Sequence, residues 1–180
     1  MLVLVLVLVL VGCGSDDAMI LPATPDAAAV DSPTADAGFS STCTGACMTT
    51  SLTATFQVTR VLDRAYFGIT ASDGTLHVEA YLGGGTGCPE MSSPTPDYAL
   101  ILGRVTRPTS TTTSSSPGNI LDYEGDLLGG PLGAAATTVT LTPVAAMGDT
   151  FVAFDANVVF AAGTVTGHLH ATHCASLDTN

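Results

Sequence analysis

Leu52, Ala54, Phe56 and Val58 alternate with Thr53, Thr55, Gln57 and Thr59. A period of two puts apolar groups on one face of an extended chain and hydroxyls on the other, which a helix repeating every 3.6 residues does not do. Related strand-like windows follow at 64–70, 75–82, 98–105, 120–127, 137–144, 150–160 and 164–174, none with an amphipathic helical repeat. Clusters of Gly, Thr, Ser and Pro separate them, notably Gly83-Gly84-Gly85, Ser92-Ser93-Pro94-Thr95-Pro96 and the stretch 109–118. Between two of the windows lies Ala71-Ser72-Asp73-Gly74, whose Asp-Gly step favours a tight turn with positive φ, so 64–82 reads as the best hairpin of the chain. About eight short strands over residues 43–180 predict an all-β domain: an antiparallel β-sandwich, with a closed β-barrel as the alternative.

The first 42 residues do not share this pattern. Leu2 to Val11 is an unbroken apolar run, about half of the roughly 20 residues that a helix needs to span a membrane core about 30 Å thick. That length fits the h-region of a signal peptide, although only Met1 stands where such peptides usually carry basic residues. Leu10-Val11-Gly12-Cys13 resembles the lipobox of bacterial lipoproteins. The resemblance implies that residues 1–12 are removed and that Cys13 becomes a lipidated N-terminus, placing the protein on a membrane of the bacterial envelope, facing periplasm or exterior. It covers only the start of the chain, and no characterised family is recognised for the β-domain. Residues 14–42 are rich in Ala, Asp, Pro, Ser and Thr without an apolar period, and read as a disordered tether with a root-mean-square reach of about 30 Å. Its acids, Asp16, Asp17, Asp26, Asp31 and Asp36, lack the EF-hand spacing and read as solvated spacer charge.

Charge narrows the partners. Sixteen acids stand against four Arg and no Lys, for a formal net charge of −12, so the electrostatic footprint for nucleic acid is missing. The same balance disfavours a basic patch on anionic lipid and leaves the covalent lipid as the expected membrane contact. With Cys13 set aside, Cys43, Cys47, Cys88 and Cys174 are an even set in an exported chain and read as two disulfides with three possible pairings. One of these closes Cys43-x-x-x-Cys47 locally and leaves Cys88 with Cys174. Zinc ligation by these thiols is the weaker alternative, because Cys43-x-x-x-Cys47 has no second close pair.

Residues that could carry chemistry are few. His168 and His170 share one face of a strand, and so do His77 and Glu79; if the two strands were neighbours, the four side chains could hold zinc or copper. The plainer reading leaves the two His of the last strand on a solvent face beside Thr164, Thr166 and Thr172. Asp122, Glu124 and Asp126 alternate along a predicted strand, either as paired catalytic carboxylates or, preferably, as charges that deter edge-to-edge pairing. The hydroxyl-rich stretch 108–117 reads as a surface loop, with glycan attachment or ligand binding as the alternatives. Gly83-Gly84-Gly85-Thr86-Gly87 leads into Cys88-Pro89 rather than a helix and reads as a flexible turn, not a phosphate cradle. Gly-x-Ser-x-Gly and His-Glu-x-x-His are both absent from the sequence. The expectation is a lipid-anchored extracytoplasmic β-domain without catalytic activity or cofactor, in a binding, structural or interaction role toward a protein or glycan of the envelope. A metal-binding lipoprotein is the first alternative and a hydrolase of envelope polymers the second.

Overall fold

The computed structural model describes residues 42–115 and 117–180; the signal-like segment, Cys13 and all but the last residue of the tether lie outside them. Ten strands form: β1 Ser51–Thr55, β2 Thr59–Leu62, β3 Arg64–Ile69, β4 Leu76–Leu82, β5 Tyr98–Val105, β6 Thr112–Ser114, β7 Gly118–Asp122, β8 Gly133–Pro143, β9 Phe151–Phe160 and β10 Gly163–His173. The expected hairpin is β3–β4, with Gly74 at φ 69° in its turn and Asp73 accepting hydrogen bonds from the Thr75 N–H and hydroxyl.

Seven strands close on themselves in the order β10-β3-β4-β5-β7-β8-β9 and back to β10, so the all-β domain is the barrel of the two expected architectures. The closing contact is the parallel pairing of Thr172–His173 with Tyr66–Phe67, whereas the other strand pairs are antiparallel. Two edges are shared. β10 pairs with β1 through His168 and with β3 beyond it, and β8 pairs first with β7 and then with β6. Where β1 leaves β10, the Thr50 hydroxyl takes over, accepting from the His170 N–H and donating to its carbonyl.

Period-two alternation fills the interior. Leu52, Phe67, Val78, Leu100, Phe154 and Leu169 are buried in a single core. Small barrels have interiors only wide enough for side chains, so the lumen is the hydrophobic core and not a channel. Threonines such as Thr138, Thr140 and Thr166 alternate with core residues and lie on the outer face. Hydroxyls outside and apolar groups inside reverse the arrangement of a membrane-spanning barrel.

Three boundaries differ from the pattern. The window beginning at Leu52 breaks after Thr55, where Phe56 donates its N–H to the Val58 carbonyl and packs its ring 5.3 Å from that of Phe160. The window 120–127 ends at Asp122, which is only 2% exposed and accepts hydrogen bonds from the N–H groups of Gly125 and Leu128. A buried carboxylate that caps a turn overrides strand alternation, so Asp122, Glu124 and Asp126 do not share a strand face. The hydroxyl-rich loop contains the short strand β6, joined to β8 by a side-chain contact between Thr113 and Thr140 at 3.0 Å.

Both disulfides form, Cys43 with Cys47 and Cys88 with Cys174. The second ties the β4–β5 connection to the end of β10.

Candidate functional site

With the lumen filled, concave surface is found on the outside of the barrel. The outer face of β3, β4, β5 and β7 carries two rows of side chains set by register: Tyr66, Glu79 and Ile101 in one, Tyr81, Ala99 and Leu121 in the other. Ala99 is the smallest of these and sits between Tyr81 and Leu121, so the face is hollow there.

The connection from Gly83 to Asp97 folds over this hollow. Its length falls where loops without secondary structure become uncommon and are often functional, about 12–15 residues. Gly83 and Gly84 have positive φ, 74° and 76°. A Cβ on Gly83 would overlap the Asp97 carboxylate, and its positive φ strains other residues, so glycine is favoured where the chain turns back. What reads in sequence as a flexible turn is therefore the fixed root of a roof. The roof is held at several points: by the Cys88–Cys174 disulfide, by Tyr66 Oη donating to the Thr86 carbonyl at 2.9 Å, by an Arg64 guanidinium N–H donating to the Gly83 carbonyl, and by the Asp97 N–H donating to the Leu82 carbonyl at 2.9 Å.

Floor and roof enclose a groove of about 330 Å³. Three of the four tyrosines, Tyr66, Tyr81 and Tyr123, line it together with Glu79 and Glu90. The rings of Tyr66 and Tyr81 are 6.3 Å apart and inclined by 45°. Tyr123 is 43% exposed. Glu79 Oε1 lies 2.6 Å from His77 Nε2, which fixes the carboxylate against the wall. Sequence reasoning singled out none of these tyrosines. The available signals were the length of the 83–97 connection and a cysteine within it.

The histidines of the expected metal site do not come together. His77 and Glu79 lie on β4, His168 and His170 on β10, and β3 runs between those strands. Each histidine has its own setting. His168 places Nδ1 2.9 Å from Asp155 and Nε2 2.9 Å from the Cys47 carbonyl, clamping the small disulfide loop to the barrel. His170 stacks on Phe151 with ring centres 5.4 Å apart, and burial, with the charge of His168, holds its pKa below the usual range. His173 meets Asp178 at 2.9 Å. Among the described residues no group of three or more His, Cys, Asp and Glu is placed to hold one metal ion.

The fourth tyrosine belongs to a separate cluster at β5. Tyr98, 4% exposed, donates from Oη to Asp126 at 2.7 Å and accepts from Arg60 Nε at 3.1 Å, while the Arg60 guanidinium also binds Asp126. The Tyr98 hydrogen bond, seconded by Arg60, holds the Asp126 carboxyl below the usual carboxylate range. A second arginine, Arg107, pairs with Asp149.

No protein-family model, curated protein or solved structure matches this chain.

Proposed function

We propose that this protein is a lipid-anchored, extracytoplasmic binding protein that holds a small ligand in the groove between the outer face of β3, β4, β5 and β7 and the 83–97 loop. One observation carries the reading: three of the four tyrosines meet under a loop fastened at both ends and bridged by a disulfide to another strand. Aromatic walls with a few convergent polar groups are the usual composition of ligand sites, and a fastened roof lowers the ordering entropy that binding would otherwise cost. The apolar leader, Cys13 and the even set of disulfide-forming cysteines support the address. The hydrolase alternative has less support, since of the two lining carboxylates Glu79 is tied to His77 and Glu90 lies exposed on the loop.

Native mass spectrometry of the protein extracted from its own envelope tests the reading. The expected result is a mass at Cys13 corresponding to lipid, plus a small non-covalent adduct that a Tyr66→Ala/Tyr123→Ala variant loses. An unmodified Cys13 removes the anchor from the account, and an adduct that persists in the variant removes the groove.

A further inference from the structure

We propose that the groove selects organic cations, ammonium groups that carry an apolar body; this rests on the reading of the groove as a ligand site. Two carboxylates line the groove and no arginine or histidine does. The chain holds four cations in all, with no Lys, against sixteen acids. Arg60 and Arg107 are engaged with Asp126 and Asp149, and Arg64, the nearest to the groove, turns its guanidinium to the Gly83 carbonyl and to Asp63. The groove lining therefore carries net negative charge, with His77 and Arg64 behind it and not in it, which raises the local concentration of cations and repels anions.

A pyranose stacks the C–H face of its puckered ring on an aromatic face. Tyr66 and Tyr81, inclined by 45° with centres 6.3 Å apart, instead form two walls of a corner. A compact cation set in such a corner meets the negative faces of more than one ring, the arrangement used in aromatic cages for quaternary and methylated ammonium groups. Tyr123, one residue beyond β7, offers a third and exposed ring.

His77 holds Oε1 of Glu79, and among the described residues Oε2 has no hydrogen-bond partner. Glu79 stands directly across from Tyr66 in the β3–β4 register, so a fixed negative charge adjoins an aromatic wall. At about 330 Å³ the groove lies at the small end of ligand sites, a fit for a soluble amine and not for a folded partner.

Calorimetric titration of the full chain in a nonionic polyoxyethylene detergent tests the proposal with choline and spermidine, the neutral choline isostere 3,3-dimethylbutan-1-ol, N-acetylglucosamine and succinate. At least one of the two cations is expected to bind saturably, with choline at least tenfold tighter than its isostere. Glu79→Gln and Tyr81→Ala are each expected to weaken the bound cation at least tenfold. Tyr123→Ala, at an exposed ring, keeps the test intact should Tyr81→Ala fail to fold. Isostere or sugar binding as tight as that of the cations, lost in Tyr123→Ala, overturns the cation selectivity and leaves the groove as a ligand site. Saturable binding by none of the probes overturns the cation proposal, and retention of the native adduct by the Tyr66→Ala/Tyr123→Ala variant separately overturns the groove.

Discussion

Replacing both Cys88 and Cys174 by Ala removes a bridge between residues 86 apart in sequence. In the chain-entropy model the stabilisation grows with the logarithm of the closed loop, and a loop of this size gives about 4.6 kcal/mol at 25 °C. Cys43 and Cys47, four residues apart, give only about 2 kcal/mol by the same relation. The Cys88→Ala/Cys174→Ala variant should therefore lose more than twice the stability lost by Cys43→Ala/Cys47→Ala. For a domain of this size that corresponds to a fall in Tm of roughly 10–20 °C against roughly 4–8 °C. Urea unfolding followed by far-UV circular dichroism reads the stability of both variants, and a coincident tyrosine-fluorescence transition checks that each remains two-state. The larger effect carries a functional signature as well. Cys174 is buried at the end of β10 while Cys88 lies in the roof, so the long bridge also fixes the groove. Ligand binding should weaken in the first variant and persist in the second. Equal losses from the two variants, or a larger loss from the Cys43–Cys47 pair, would refute the loop-size reasoning.

Other perturbations address single contacts. Asp122→Ala leaves the half-buried N–H groups of Gly125 and Leu128 without the buried carboxylate that accepts from them and should cost about 1–3 kcal/mol in urea unfolding, with Asp122→Asn retaining part of it. Gly68→Ala would drive a Cβ into the Leu177 carbonyl and should cost about 1–3 kcal/mol. Hydrogen exchange would show it as faster exchange at Ile69 and Ala71, whose N–H groups donate to Asp178 and Thr179; unchanged protection there contradicts the contact. His170 has a depressed pKa in the folded protein, so between that value and about 6.5 the unfolded chain binds the extra proton. Its contribution is complete above pH 6.5 and declines as the pH falls below it. His170→Phe, which keeps the stacking on Phe151, should lose less stability between pH 7.5 and pH 5 than the parent; equal losses in the two proteins would count against the assignment.

Local pattern made much of the β-domain legible. Alternation gives the strands, Asp73-Gly74 gives the β3–β4 turn, and the cysteine count gives the two bridges. Closure was not legible, because sandwich and barrel share the same alternation. The deciding contact joins Tyr66–Phe67 to Thr172–His173, about a hundred residues away, and no local propensity reports it. Asp122 looked like one of three surface acids because a turn cap and an exposed strand residue have the same chemistry until burial separates them. His77 and His168 looked like possible partners until β3 came between their strands. The groove needed register: Tyr66, Tyr81 and Tyr123 are unremarkable in sequence and converge only when β3, β4 and β7 are aligned under the 83–97 loop. Cys13 and the leader lie outside the described residues, so the address stands on the sequence motif.

The tyrosines also supply the most direct test, because the fourth is an internal control. Ring carbon resonances of ¹³C-labelled Tyr can be followed by NMR in the full chain during titration with choline and spermidine. The account predicts that Tyr66, Tyr81 and Tyr123 shift along one saturation curve while Tyr98, held by Arg60 and Asp126 away from the groove, stays in place. Shifts of equal size at all four rings, or movement of none with either cation, would contradict it.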